Sequence, residues 1–143
     1  MSVVAGAETL LDRAGIDPGM RVLDAGCGPG RLTLPAARRV GPSGEVVALD
    51  VQAAMLATVR SRVAEQGLTN VRTVLGPLER GIRTMGAVDR ALLVTVLGEI
   101  PHRERALRAL HASLRPGGML SVTEVMPDPH YQTRATVRRL ATA

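Results

Sequence analysis

Three glycines at alternate positions, Gly26, Gly28 and Gly30, follow an apolar stretch that ends at Asp24. Glycine has no Cβ atom and accepts positive φ, so a ligand can lie directly against the main chain of such a loop. A helix that follows the loop offers free N–H groups and a positive dipole end, which favour a carboxylate or a phosphate. The pattern D-x-G-x-G-x-G therefore predicts a ligand site rather than a simple tight turn.

Asp50 is the second residue whose type and position indicate chemistry, because it ends the apolar stretch EVVALD. A carboxylate at the end of a second strand can accept hydrogen bonds from both ribose hydroxyls of an adenosine. An aspartate at a strand end is common, so the prediction depends on its combination with the glycine loop. Together the two features indicate a cofactor that contains a nucleoside.

The spacing of the glycines separates the two cofactor classes that use a loop of this kind. A dinucleotide loop reads G-x-G-x-x-G, and its third glycine allows close packing of the helix on the strand. With Gly26 and Gly28 as the first two glycines, the third belongs at position 31, which is Arg31. A nicotinamide-dependent dehydrogenase is therefore the less favoured interpretation.

The elements that must position these residues alternate between strand-like and helix-like patterns. This alternation predicts a single α/β domain over residues 1–143, with a doubly wound, mostly parallel, Rossmann-like sheet in the order 3-2-1-4-5 and helices on both faces. The predicted strands are 21–26, 45–50, 71–76, 88–97 and 119–125. The predicted helices are 4–14, 31–40, 52–66, 102–114 and 130–142. Ligands bind such sheets beside the first strand, outside the carboxyl ends of the strands, where the glycine loop lies.

Helical periodicity predicts which side chains of these helices face the core. The expected inward positions are Thr33, Ala36, Ala37, Val40, Met55, Leu56, Val59, Val63, Leu107, Leu110 and Leu114. Gly67 is expected to cap the helix over 52–66, and the turn RPGG at 115–118 is expected to end the helix over 102–114.

The stretches VLDAGCGPG, EVVALD and LRPGGMLSVTEV resemble the class I S-adenosylmethionine-dependent methyltransferases, and in particular the general methyltransferase domain of quinone-biosynthesis enzymes. The resemblance covers roughly residues 8–140. It implies S-adenosyl-L-methionine as the cofactor, a small molecule as the methyl acceptor, and an enzyme as the class of protein. A binding module that holds the cofactor without turnover is the alternative.

The resemblance also implies a set of cofactor-binding residues, namely Asp24, Ala25, Gly26, Cys27, Gly28, Gly30, Asp50, Val51, Gln52, Leu78 and Thr95. The residues up to Gly30 would hold the methionine part, and Asp50 would bind the ribose. Val51 and Gln52 would flank the adenine, on which Leu78 would pack. Family members often bind the adenine amino group through an acid after the third strand. This chain has Pro77 there, and Glu79 is the candidate replacement.

No catalytic residue is predicted. The methyl carbon of a sulfonium is already electrophilic, so the protein chiefly aligns the reactants and excludes water. A base is needed only when the nucleophile arrives protonated. Polar residues beyond the fourth and fifth strands are candidates for that base or for binding substrate, and helix capping or simple exposure is the alternative for each: Glu99, His102, Glu124, His130 and Tyr131. Their spacing does not indicate a metal site.

Composition restricts the partners. All 18 basic residues are arginine, and the net charge is +5. Arginine neutralises phosphates, but these arginines are scattered among acids and no Phe or Trp is present to stack bases, so nucleic acid is not expected. No apolar run has the length of a membrane span. Cys27 is the single cysteine, which fits a reducing compartment and predicts a cytoplasmic protein.

Members of the resembled family usually continue past the fifth strand to two further strands, so the chain looks like a short cofactor-binding core. The stretch MLSVTEV is then expected to be an open, apolar sheet edge, and such an edge favours pairing with another chain. A homodimer through this edge or through the C-terminal helix is the prediction.

Overall fold

Five parallel strands form one sheet in the order β3-β2-β1-β4-β5 within residues 6–78, 86–95 and 103–124, which the computed structural model describes. The strands are β1 (Arg21–Ala25), β2 (Glu45–Asp50), β3 (Val71–Leu75), β4 (Val88–Thr95) and β5 (Leu114–Glu124). The helices are α1 (Ala7–Arg13), α2 (Thr33–Val40), α3 (Ala53–Glu65) and α4 (Arg103–Ser113). The predicted α/β class and strand order are confirmed.

Helices cover both faces of the sheet. Successive residues of a strand point to opposite faces, so the nearly continuous apolar sequence of β1 supplies two cores. Leu23 packs in one cluster with Leu107 of α4. Val22 packs in another with Leu11 of α1 and Val40 of α2. The doubly wound arrangement follows from this division.

The inward face of α2 is the predicted one, and its residues are all buried: Thr33, Ala36, Ala37 and Val40. The end of α2 is tied to the start of β3 by Asn70, whose Nδ2 donates hydrogen bonds to the carbonyl oxygens of Ala37 (2.9 Å) and Gly41 (2.8 Å). This contact fixes the helix that follows the glycine loop against the sheet.

The face of α3 is predicted in part. Leu56 and Val59 are buried, whereas Met55 and Val63 are only partly buried. Gly67 has a φ of 65° and follows the last turn, as expected of the residue that ends a helix in the left-handed region.

The junction between α4 and β5 differs from the prediction. The helix ends at Ser113, and Leu114 pairs with Val88 as the first residue of β5, so the RPGG segment lies within the strand as an irregularity. The register shifts there, because four residues of β5 stand opposite one residue of β4. A Cβ atom at Gly118 would lie 2.9 Å from the Arg115 carbonyl oxygen, so this close backbone approach requires glycine.

Several predicted segments fall outside the described residues, including the helix over 130–142. In the part of the chain that the structure covers, none of the helices has both the length and the apolar character needed to cross a bilayer.

Candidate cofactor site

The glycine loop is held over the end of β2. The Leu49 carbonyl oxygen accepts hydrogen bonds from the backbone N–H groups of Gly26 (2.8 Å) and Cys27 (2.9 Å). Gly26 and Gly28 have φ values of 68° and 55°, which a residue with a side chain rarely adopts. The loop therefore has one defined shape, and that shape depends on glycine.

The three glycines do not have the same surroundings. A Cβ atom added at Gly26 or Gly28 would meet nothing within 4 Å, so both backbones face open space. A Cβ atom at Gly30 would lie 3.3 Å from Cγ2 of Val59, in α3. Gly26 and Gly28 thus leave room for a ligand, whereas Gly30 allows the loop to pack against α3.

Asp50 holds the loop from the β2 side. Its Oδ2 accepts a hydrogen bond from the Gly28 backbone N–H (2.9 Å), and its Oδ1 accepts one from the Gln52 backbone N–H (2.8 Å). One carboxylate therefore joins the glycine loop to the turn that begins α3. Each carboxylate oxygen can accept a further hydrogen bond, so the same group remains able to bind hydroxyls.

Asp24 is buried beneath the loop, and its Oδ2 accepts a hydrogen bond from the Thr33 hydroxyl (2.7 Å). Burial raises the pKa of Asp24 to about 6, the Thr33 hydrogen bond opposes the rise, and the Asp50 charge adds to it. The described hydrogen-bond partner of Asp24 is thus a side chain of α2. Sequence reasoning placed Thr33 on the inward face but missed this partnership, for which the residue types give no signal.

Cys27 is buried in the loop, and its Sγ donates a weak hydrogen bond to the Gly28 carbonyl oxygen at 3.4 Å. Burial raises the pKa of the thiol to about 12, and the nearby charges of Asp24 and Asp50 add to the rise. A group that stays protonated at neutral pH is a poor nucleophile. Cys27 is therefore a buried residue of the loop and not a candidate nucleophile.

A cavity of about 630 Å³ opens at the loop. Asp24, Gly26, Gly28 and Val94 border it, and Glu8 contributes from α1. Asp50 is not part of this lining. The candidate site therefore has two parts, the cavity beside Asp24 and the partly buried Asp50 at the end of β2. The contribution of α1 was not predicted from the sequence.

The remaining predicted residues lie around the same strand ends. Val51 is 63% exposed directly after Asp50, so an apolar side chain stands in the open there. Gln52 precedes α3 and is exposed. Leu78 packs partly buried against the α4-side core, and Ala25 is fully buried in that core. Thr95 ends β4, where it pairs with Glu124.

Most of the candidate base and substrate-binding residues lie outside the described residues, namely Glu99, His102, His130 and Tyr131. Glu79, the candidate for the adenine contact, also lies outside them. Glu124 is described only as the last residue of β5. Among the residues that are described, no group of three or more His, Cys, Asp or Glu side chains could hold a metal ion.

The comparison with known proteins gives a family match for residues 22–118, to the methyltransferase domain. A ubiquinone/menaquinone biosynthesis C-methyltransferase of Bordetella parapertussis is 39% identical over 114 residues, which are 80% of this chain and 44% of that protein. The nocamycin O-methyltransferase of Saccharothrix syringae is 35% identical over 127 residues, 86% of this chain and 44% of that protein. The chain thus spans less than half the length of these curated relatives.

Solved structures give the same picture of the fold. The crystal structure of a SAM-dependent methyltransferase from Aquifex aeolicus matches with a TM-score of 0.80 and 24% sequence identity. The match covers 95% of this chain and 77% of that one. At this identity the likeness concerns the arrangement of the sheet and helices.

Proposed function

Because this chain belongs to the class I S-adenosylmethionine-dependent methyltransferase family, we propose that it binds S-adenosylmethionine at the glycine loop and transfers the methyl group to a small-molecule acceptor. The relatives include both a C- and an O-methyltransferase, so the accepting atom is left open.

One observation supports this proposal most directly. The main chain at Gly26 and Gly28 faces open space at the ends of β1 and β2, and the carboxylate of Asp50 lies at hydrogen-bond distance from that main chain. An adenosine needs a carboxylate for its ribose and a backbone free of side chains, and both occur together here. The residues present therefore fit the cofactor.

The two parts of the site would receive the two ends of the cofactor. The cavity, with Asp24 and the loop from Ala25 to Gly30, would hold the methionine end, where the buried carboxylate faces an ammonium or a sulfonium favourably. The second part, with Asp50, would hold the ribose. Val51 and Gln52 would lie along the adenine, and the exposed Val51 would lose its contact with water.

The cofactor supplies a methyl carbon that is electrophilic and bound to a neutral leaving group. The chain's residues then have to bind, orient and exclude water. Asp50 keeps the loop and the α3 turn at a fixed separation before any ligand arrives, so the site does not need to be ordered at binding. No described residue is assigned as a base.

The first test is a calorimetric titration with S-adenosylhomocysteine. The parent chain is expected to bind it. Asp50→Ala is expected to weaken binding by about tenfold or more, because the ribose loses a charged acceptor and the loop loses its hydrogen bond from the Gly28 N–H to Asp50. Asp17→Ala, a change of the same type at an exposed position before β1, whereas the loop follows β1, serves as the control. Equal affinity of the parent and Asp50→Ala would contradict the proposal, as would preferential binding of NAD.

Turnover is tested separately, with cofactor labelled on the methyl group and a panel of small-molecule acceptors that carry hydroxyl, amine or activated carbon groups. Transfer to any member supports the enzyme. Binding of S-adenosylhomocysteine without transfer across the whole panel would favour the alternative of a binding module.

The partners and the location belong to the same proposal. We expect no nucleic acid and no membrane to take part, and a cytoplasmic location that rests on the single cysteine. All described strands belong to one sheet, which supports one domain over residues 1–143. Since β5 is one of the two outer strands of the described sheet, a homodimer through this edge is also proposed.

A further inference from the structure

Three arginines line the cavity that Asp24 and the glycine loop border. They are Arg31, directly after the loop, Arg38 in α2 and Arg62 in α3. The proposed cofactor contacts use none of them. Arg31 occupies the position at which a dinucleotide loop has its third glycine. It has no role in the proposed cofactor contacts.

Contacts between the elements bring these arginines to one groove. Nη1 of Arg62 donates a hydrogen bond to the Pro29 carbonyl oxygen (3.1 Å), and Pro29 is two residues from Arg31. Nη1 of Arg38 donates a hydrogen bond to Oε1 of Gln66. Arg62 and Gln66 are four residues apart, which places them on the same face at the end of α3.

The charges of these arginines are not balanced by the described residues. Arg38 and Arg62 bond to neutral oxygen atoms, and Arg31 makes no ion pair within the described part of the chain. Elsewhere on the surface, arginines pair with carboxylates. One of these pairs is Arg39 with Glu8 (2.6 Å), so the Glu8 charge at the cavity wall is already compensated. Asp24 is the other lining carboxylate, so the lining carries three arginines and two carboxylates, one of which is already paired.

We propose that Arg31, Arg38 and Arg62 bind an oxyanion, a phosphate or a carboxylate group, that the methyl acceptor carries. The inference rests on the proposed function, because the cavity joins the arginines to the loop assigned to the cofactor. A guanidinium presents a planar fork of N–H donors that fits both oxyanions. The single carboxylate of the cofactor needs fewer cations than this groove supplies, so the groove is assigned to the acceptor.

The experiment uses the full chain saturated with S-adenosylhomocysteine and titrated at constant ionic strength with inorganic pyrophosphate and, separately, with citrate. The cavity variant is Arg38→Gln with Arg62→Gln. The control variant is Arg60→Gln with Arg105→Gln, which removes the same charge from two exposed positions outside the cavity lining. Arg60 is the closer match, because it lies in α3 and donates to a neutral oxygen, that of Thr73.

Saturable binding of either anion is expected for the parent, and the anion that binds identifies the oxyanion. The dissociation constant is expected to rise about tenfold or more in the cavity variant and to stay within about twofold in the control variant. Equal weakening in both variants would mean a general effect of net charge and would overturn the proposal. Loss of S-adenosylhomocysteine affinity in the cavity variant would also overturn it, because the arginines would then serve the cofactor.

Titration with S-adenosylhomocysteine alone separates this inference from the proposed function. A parent chain that binds S-adenosylhomocysteine but neither anion overturns the oxyanion site only. A parent chain that does not bind S-adenosylhomocysteine overturns the proposed function, and the assignment of the groove to a methyl acceptor with it.

Discussion

At the scale of single residues, the site places two aspartates in different environments. Asp50 is partly buried and accepts hydrogen bonds from two backbone N–H groups. Asp24 is buried, with one described partner, the hydroxyl of Thr33. Burial disfavours the charged form of a carboxylate, and the single hydrogen bond from Thr33 does not offset this effect. The pKa of Asp24 therefore rises to about 6.

This shift predicts a pH dependence of stability. Because Asp24 has a higher pKa in the folded chain than the unfolded value of 3.8, the folded state holds the proton more tightly. The protonated Asp24 carboxyl therefore contributes to the free energy of unfolding. This contribution is fully present below about pH 4 and is lost as the pH rises through about 6. Asp24→Asn has no carboxyl that can ionise, so its stability does not fall in this way. Between about pH 4 and pH 7, the free energy of unfolding of the variant, relative to that of the parent, is expected to increase by up to roughly 3 kcal/mol.

The measurement is urea unfolding of both proteins over that pH range. Glu65→Gln is the matched control, because it also replaces an acid by its amide, at an exposed position of α3. The control is expected to follow the parent. A pH profile of Asp24→Asn that runs parallel to the parent profile would rule out this account of Asp24.

At the scale of elements, two contacts outside the site determine where α2 lies. Asn70 ties the end of α2 to the start of β3, and Gly44 lets the α2–β2 turn pass close to the helix. Since α2 carries Thr33 at one end, both contacts affect the position of the glycine loop indirectly. Each gives a prediction about the stability of the chain.

Asn70→Ala removes two hydrogen bonds to the Ala37 and Gly41 carbonyl oxygens. Both carbonyls keep a backbone partner, so the expected loss is about 1 to 2 kcal/mol in the free energy of unfolding. Thr69→Ala, at the exposed neighbouring position, is the control and should change little. Chemical denaturation gives the free energy of unfolding of both variants. An Asn70→Ala variant as stable as the control would show that the two hydrogen bonds of Asn70 do not stabilise the fold.

Gly44→Ala introduces a steric conflict. A Cβ atom at this position would lie 2.6 Å from the Met20 carbonyl oxygen and 2.6 Å from Cβ of Val40, and neither is the end of a flexible side chain. We expect a loss of roughly 1 to 3 kcal/mol, measured as a lower midpoint of thermal unfolding. Ser43→Ala, exposed in the same turn, provides the comparison. A Gly44→Ala midpoint equal to that of Ser43→Ala would show that the turn can move.

At the scale of the whole molecule, the proposed dimer depends on β5, one of the two outer strands of the described sheet. Met119 is 48% exposed on this strand, so a large apolar side chain faces solvent there. If β5 pairs between copies, light scattering at micromolar concentration gives the mass of a dimer, and Met119→Lys shifts the chain towards the monomer because a charge opposes edge pairing. Arg105→Gln, which changes charge on α4, is the control. A parent chain that is monomeric at this concentration excludes the dimer.

Local patterns in the sequence were sufficient for the fold class, the strand order and the family. These patterns are local, because each lies within one segment of the chain: the apolar runs, the helical periodicity and the spacing of Gly26, Gly28 and Gly30. They failed at Leu114, where a strand begins in place of the predicted helix end, because pairing with Val88 overrides the local preference of the RPGG segment.

The tertiary structure decided what surrounds each chemical group. It brought Thr33 to Asp24, Asp50 to the Gly28 N–H, Val59 to Gly30, and Arg62 to the cavity. These partners lie on different elements, and no local rule specifies which side chains meet when those elements pack. The sequence alone therefore predicted a ligand site beside β1, whereas packing determined which groups surround Asp24 and which cations border the cavity.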